Sequence, residues 1–527
     1  MKPLHLFSAG LVAVLAVSLT GCSGDAPAAT NDSVVIAVSS LPDSLTPAPW
    51  GGSASHVVLS GLGSQLLQYK TTATAGNPCG QPTTEVNGRL AESATVAPDK
   101  KGIIVKLKKL TSQFGHTLSA EDVLWSLQIG MVRQPVMKGT LSSSGFDVKN
   151  LAKIIDDRTI ELNTTNLTSF SIESLQNNLF YIHDSIEAKK HVTAADPTAN
   201  NWLSKNLADY SGWDLEEFTP GISLTVTADP KWEGTRGSVK RVVVKAVPNT
   251  STRSQLIQSG EAQVANGFEY DQYSSLETSP GVSVINCPSS TRDTLMFNTK
   301  TGPLSDVRVR QAISMAIDRN ALVKGAYAGY GKASQSTFPG GDPSATYKFD
   351  IAGAKKLLAE AGYAKGFNLS LSYSATRPGP VANKSSVLVQ SMLSEVGINV
   401  TLQNIASPTD FSTALLQGRY EAVLYSEPIV IADPAFYSFA YYAGNAPSNT
   451  TGWSSPKFDQ IRTQLAATPQ DQTAKRTELI KEMTAVVDAG APILSLVETR
   501  GMMATKAGIT GATPLSNGQV YFNALGS

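Results

Sequence analysis

The sequence predicts an α/β protein built in more than one lobe, and three observations carry that prediction. The chain runs to 527 residues, more than a single hydrophobic core usually organises. Its first half holds short β-rich segments at 34–38, 103–107, 159–162, 222–227 and 241–246. Between residues 368 and 425 the pattern changes to strand, helix, strand, helix, strand, the order of an α/β unit with a parallel sheet.

Each element has a local reason. Val34-Val-Ile-Ala-Val38 is apolar and β-branched, and Leu41-Pro-Asp-Ser-Leu-Thr-Pro47 breaks it as a turn. Ser119-Ala-Glu-Asp122 places a cap and first-turn acids ahead of Val123-Leu-Trp-Ser-Leu127, so a helix starts there. The segments 159–162, 222–227 and 241–246 alternate as half-buried strands do. In the second half, strands are expected at 368–373, 398–403 and 421–425. Gly397 stands just past the helix that ends at Val396, where a left-handed cap is easiest.

The N-terminus has a separate logic. Lys2 precedes an apolar run from Leu6 to Leu19, too short for the ~20 residues of a spanning helix. The run ends at small residues, as an export signal does. Leu19-Thr20-Gly21-Cys22 resembles the lipobox of bacterial lipoproteins, which implies acylation of Cys22 and cleavage before it. One acyl chain binds a membrane only marginally, and the diacylglycerol of lipoproteins meets that need. Residues 1–21 are thus expected to be a signal peptide and 22–32 a polar, lipid-anchored tether.

Composition narrows the function. With 43 basic and 43 acidic side chains the net charge is zero, which argues against nucleic acid or anionic lipid as the main partner. Only His56, His116, His183 and His191 lie beyond the signal segment, and no HExxH, CxxC, GxxxxGK[ST] or GxSxG motif occurs. No catalytic constellation, metal site or cofactor is expected. Cys79 and Cys287 lie far apart in sequence; a bridge is open to them, but two separate thiols are the expected state.

Several segments together resemble the family 5 solute-binding proteins of ABC importers, the oligopeptide-, dipeptide- and nickel-binding group. They are Leu90-Ala-Glu-Ser-Ala-Thr-Val96, Leu118-Ser-Ala-Glu-Asp-Val123, Asp229-Pro-Lys-Trp232 and Arg253-Ser-Gln-Leu-Ile-Gln-Ser-Gly-Glu261. Phe297-Asn-Thr-Lys300 follows with Asp306-Val-Arg-Val-Arg-Gln-Ala312 and Ala316-Ile-Asp-Arg319, then Thr451-Gly-Trp-Ser-Ser-Pro-Lys-Phe-Asp459. The resemblance implies a two-lobed periplasmic-binding-protein-like fold (type II, cluster C) with an inserted extra subdomain. Lobe I would take 33–50, 190–280 and 495–527, the insertion 51–189, and lobe II 281–494. It also implies a monomeric, non-enzymatic binding protein at the outer face of the membrane, delivering a small solute to ABC permease subunits. The helical apolar face of Val307, Val309, Ala312, Ile313, Ala316 and Ile317 reads as lobe core, with Arg308 and Arg310 on other faces.

Peptide is the ligand class the resemblance favours; an oligosaccharide, opine or metal chelate is the alternative, and an enzyme or chaperone on the same fold a further one. Peptide-binding relatives hold the ligand amine with an aspartate in a W-x-A-D-Y-x-D/E-P-like stretch. Aligning Tyr425-Ser-Glu-Pro-Ile-Val-Ile-Ala-Asp-Pro434 on it places Val430 at that aspartate. Either Glu427 supplies the missing charge or the ligand has no free amine there, because an ammonium buried beside valine is costly. Trp50 and Tyr425 are candidates for stacking, Asn266 and Phe268 for the cleft wall, Arg292 for a carboxylate, and Trp453 for the rim.

Overall fold

The computed structural model describes residues 32–47, 53–74, 77–80, 85–338, 348–375, 377, 379–427, 431, 433–444, 446, 448–514 and 520–527, with backbone alone at 53–57 and 408–409. Cys22 with the tether up to residue 31, Trp50 and Val430 lie outside the described residues.

Two lobes share one sheet. In the first, Ser33–Val38 lies between Arg241–Ala246 and Val264–Ala265, parallel to both. Ser223–Ala228 and Trp213–Thr219 extend it antiparallel. Val34, Ile36, Leu224, Val226, Val242 and Val244 bury one face, and Val520, Phe522 and Leu525 from the chain's last residues complete that core. In the second lobe Phe367–Tyr373 pairs parallel with Ile398–Asn404 and with Ala422–Glu427. Helices Ala382–Ser394 and Pro408–Leu416 are the crossovers, as parallel strands require. Gly397 takes φ +84° after the first of them.

Val282–Phe297 and Ile493–Lys506 pair antiparallel along most of their length and join the lobes into one eleven-stranded sheet among the described residues. Cys287 stands opposite Gly501 and Pro288 opposite Arg500; the register then breaks and resumes with Arg292 opposite Glu498. Proline has no N–H to give the ladder, and the break falls where the chain crosses between lobes. The second lobe is covered on both faces. Leu295, Phe297, Ile313, Leu369, Val389 and Leu424 pack on one side. Tyr425, Phe436, Tyr437, Tyr442, Phe458 and Met483 pack on the other.

An additional unit carries its own four-stranded sheet, in the order Ala91–Val96, Gly102–Leu107, Thr159–Asn163, Ala152–Asp156. Ile103, Val105, Leu127, Ile160 and Leu162 form its core. Its helix Ala120–Arg133 begins on the capping box that the spacing predicts, between Ser119 and Asp122.

The structure corrects the expectation of two separate thiols. Cys79 and Cys287 form a disulfide with Cα atoms 5.2 Å apart, across a sequence separation of 208. The fold lays the Cys79 loop of the additional unit against the linking strand Val282–Phe297, a proximity that sequence distance does not encode. A smaller correction concerns Arg310, read as lying off the apolar face. It is buried and donates to the carbonyls of Leu304, Ser305, Gly490 and Ala491, tying helix Val307–Ala316 to the end of helix Thr473–Gly490.

Candidate functional site

Strand direction locates the cleft. Ala265 stands opposite Ala504 on Ile493–Lys506, and antiparallel pairing sends the continuation Asn266-Gly267-Phe268 past Met503 and Met502, toward the second lobe. The strand Ala422–Glu427 runs from Phe297 to Arg292 along its antiparallel partner, so its end points toward the first lobe. The carboxyl ends of parallel strands from both lobes therefore face each other over the crossing segments. Open α/β sheets bind ligands at such ends.

The second-lobe wall is built on Arg292, which register places between Glu427 on one neighbour and Glu498 on the other. Arg292 Nη1 donates to the carbonyl of Ser336 at 2.8 Å, and Nη2 lies 3.5 Å from Glu498 Oε1. Glu427 sits on the strand itself, two residues beyond its expected end, and is fully buried. The Tyr437 hydroxyl donates to its Oε2, while its Oε1 has no hydrogen-bond partner. Burial pushes the Glu427 carboxyl up to about 7, outweighing the Tyr437 bond and the positive charges of Arg292 and Arg377.

Tyr425 lies two residues before Glu427, on the same face of the strand. It is buried, and the Arg377 guanidinium sits 4.6 Å from its ring centroid. Arg377 Nε also donates to the carbonyl of Ser426 at 3.1 Å. On the opposite face Asp293 accepts from the Tyr327 hydroxyl at 2.6 Å, and burial raises it to about 7, outweighing the Tyr327 and Ser426 hydroxyls. Arg377 and Asp293 were not among the sequence candidates. Arg377 had a usable signal, a lone cation just past the strand Phe367–Tyr373, whereas Asp293 within a continuous strand had none.

On the first-lobe wall Asn266 is half-buried and its backbone N–H donates to Ala37 at 3.2 Å. Phe268 is buried against Tyr273, with ring centroids 5.2 Å apart and the Arg253 guanidinium over its face. Arg253, from the R-x-x-x-L-x-S-G-E segment, is fully buried and donates to the carbonyls of Val247, Pro248, Asn266 and Gly267. It fixes the loop that carries both candidates. Trp453 packs with Tyr442 and Phe458 in the aromatic core of the second lobe. The structure thus gathers Arg292, Tyr425 and Glu427 in one place, sets Asn266 and Phe268 on the facing edge, and puts Trp453 in a core.

The Asp433-Pro434 end of the same segment is a structural joint. Asp433 caps helix Pro434–Tyr442 through Ala435 N–H at 2.7 Å, pairs with Arg476 at 2.7 Å and accepts from the Ser169 hydroxyl of the additional unit at 2.8 Å. Among the described residues, no three His, Cys, Asp or Glu side chains are placed to hold a metal ion, and no helix is long and apolar enough to cross a membrane.

Residues 85–449 match the model of the bacterial extracellular solute-binding proteins, family 5 Middle. The chain belongs to this family. Its members are substrate-binding proteins of ABC transporters that work outside the cytoplasm, and they are not enzymes. The chain is 27% identical over 481 residues to the probable D,D-dipeptide-binding periplasmic protein DdpA of Escherichia coli (strain K12), covering 88% of both chains. Solved structures of the same fold include the DppA periplasmic binding protein of Helicobacter pylori in complex with the peptide STSA (TM-score 0.81, 20% identity, 94% of this chain and 97% of that one). Another is AgaA of A. tumefaciens R10 in complex with agropinic acid (TM-score 0.78, 21% identity, 92% of this chain and 95% of that one). Family 5 membership accounts for the sheet shared by two lobes and for the additional unit that packs beside them.

Proposed function

We propose that this family 5 protein captures a peptide or peptide-like solute by closing its lobes, and passes it to the permease subunits of an ABC importer. Cys22, acylated after signal cleavage, would hold it at the outer face of the cytoplasmic membrane, as a monomer. Lobe I would comprise 33–50, 190–280 and 495–527, the insertion 51–189, and lobe II 281–494. The observation that best supports a solute with both charges is the cleft end of Ala422–Glu427. A buried carboxyl with a free oxygen, Glu427, stands there within the field of two guanidinium groups, Arg292 and Arg377. An ammonium can take the free Glu427 oxygen, and a carboxylate can take the donors that Arg377 does not spend on Ser426. Trp50, Asn266 and Phe268 remain candidate contacts, whereas Trp453 serves the core.

Mass spectrometry of whatever small molecule co-purifies identifies the ligand class directly. Calorimetry on that molecule then tests the site. For an amine ligand, Glu427→Gln is expected to weaken binding roughly ten- to a hundredfold, since a charged hydrogen bond is worth ~1.5–3 kcal/mol. Tyr425→Ala is expected to weaken it as well. A neutral, sugar-like solute would tolerate Glu427→Gln and still need Tyr425; the alignment that puts Val430 at the amine-binding aspartate's position favours this second reading. If neither substitution matters, the strand end is not the site. For the anchor, a processed Cys22→Ala protein that stayed on membranes at high salt would overturn lipidation.

A further inference from the structure

Three charged side chains meet across the cleft from opposite lobes. Glu269 ends the loop that leaves strand Val264–Ala265 and is the N-cap of helix Tyr270–Glu277; Asp271 lies in that helix's first turn. Lys384 lies in the first turn of helix Ala382–Ser394, which follows the carboxyl end of strand Phe367–Tyr373. By the strand directions above, these are the cleft-facing edges of the two lobes. Lys384 Nζ lies 2.6 Å from Glu269 Oε2 and 3.0 Å from Asp271 Oδ2. Helix Tyr270–Glu277 also touches the second lobe through Tyr270, 5.1 Å from Tyr327 between ring centroids, and through the Ser274 hydroxyl, which donates to Tyr330 at 3.2 Å.

We propose that Lys384, Glu269 and Asp271 form an electrostatic clasp that favours the closed arrangement of the lobes whatever the cleft contains; this rests on the closure reading above. Separating the lobes leaves two carboxylates two residues apart without their shared cation, so the clasp acts on the closed state alone. Any interaction confined to one state shifts the population toward it. The side chains are 39%, 35% and 61% exposed for Lys384, Glu269 and Asp271, so water and salt weaken the pairing. The clasp is therefore a bias on the equilibrium and not a lock.

The test needs no ligand, so its failure is distinct from a wrong ligand assignment. Single-molecule energy transfer is read on the whole mature chain between dyes on the two lobes, carried by unnatural residues that leave Cys79 and Cys287 paired. Lys384→Glu is expected to lower the closed-to-open ratio roughly three- to tenfold, because repulsion replaces attraction at two carboxylates. Adding Glu269→Lys and Asp271→Lys to it is expected to restore the ratio. Raising salt from about 0.02 M to about 0.5 M should move the native chain toward the Lys384→Glu distribution. An unchanged distribution in Lys384→Glu, whether or not its thermal midpoint falls, overturns the clasp. So does a triple reversal that stays open.

Discussion

Glu427 and Asp293 are carboxyls on neighbouring strands that keep protons well above the usual range, both at about 7 because both are buried. A carboxyl raised in the folded state still holds its proton where the unfolded chain has released it. The folded state therefore binds more protons between the unfolded value and about 7, and stability falls as pH rises through that window. For Glu427 the rise from 4.5 to about 7 corresponds to a loss on the order of 3 kcal/mol. The ligand-free protein is expected to unfold at lower urea at pH 8 than at pH 5. Glu427→Gln should flatten part of that slope, and Asp293→Asn a further part. An amine arriving at Glu427 would favour the ionised form, so binding near pH 6 should release a proton, seen as a buffer-dependent calorimetric enthalpy. The sequence pointed to Glu427 as a replacement charge but placed it in a loop. Its strand position depends on pairing with Arg292, far away in the sequence, which has no local signature.

At the scale of elements, the family motifs do structural work that their letters do not describe. The helix Thr250–Ser259 and its left-handed Gly260 cap, at φ +86°, were legible from the S-G-E end. The task of Arg253 was not, since its acceptors are four backbone carbonyls and carbonyls leave no mark in a sequence. Arg253→Met would leave those carbonyls buried and unpaired, and is expected to cost about 3–5 kcal/mol in a urea titration. Arg253→Lys should recover only part of that, because an ammonium cannot span two loops as the guanidinium does. The parallel unit of the second lobe was legible for the opposite reason. Strand and helix periods, a crossover length and Gly397 are all local signals, and they agree.

At the scale of the molecule, the Cys79–Cys287 bridge fastens the additional unit to a strand that passes through both lobes, at the last paired position but one before the register break. Cys79→Ser with Cys287→Ser is expected to lower stability by about 2–5 kcal/mol, as removal of a long-range bridge does. Denaturant midpoints with and without reductant check this: the reductant should shift the native chain and leave the double variant unmoved. The same long strands have a consequence for how the chain assembles after export. Ser33–Val38 emerges early, yet the core over it needs Met503, Val520, Phe522 and Leu525 from the far end, and Val264–Ala265 finds its second neighbour only in Ile493–Lys506. The lobe that begins first is thus the lobe that finishes last. A chain broken off after the second lobe therefore leaves the first one unsealed, its core open where Val520, Phe522 and Leu525 belong.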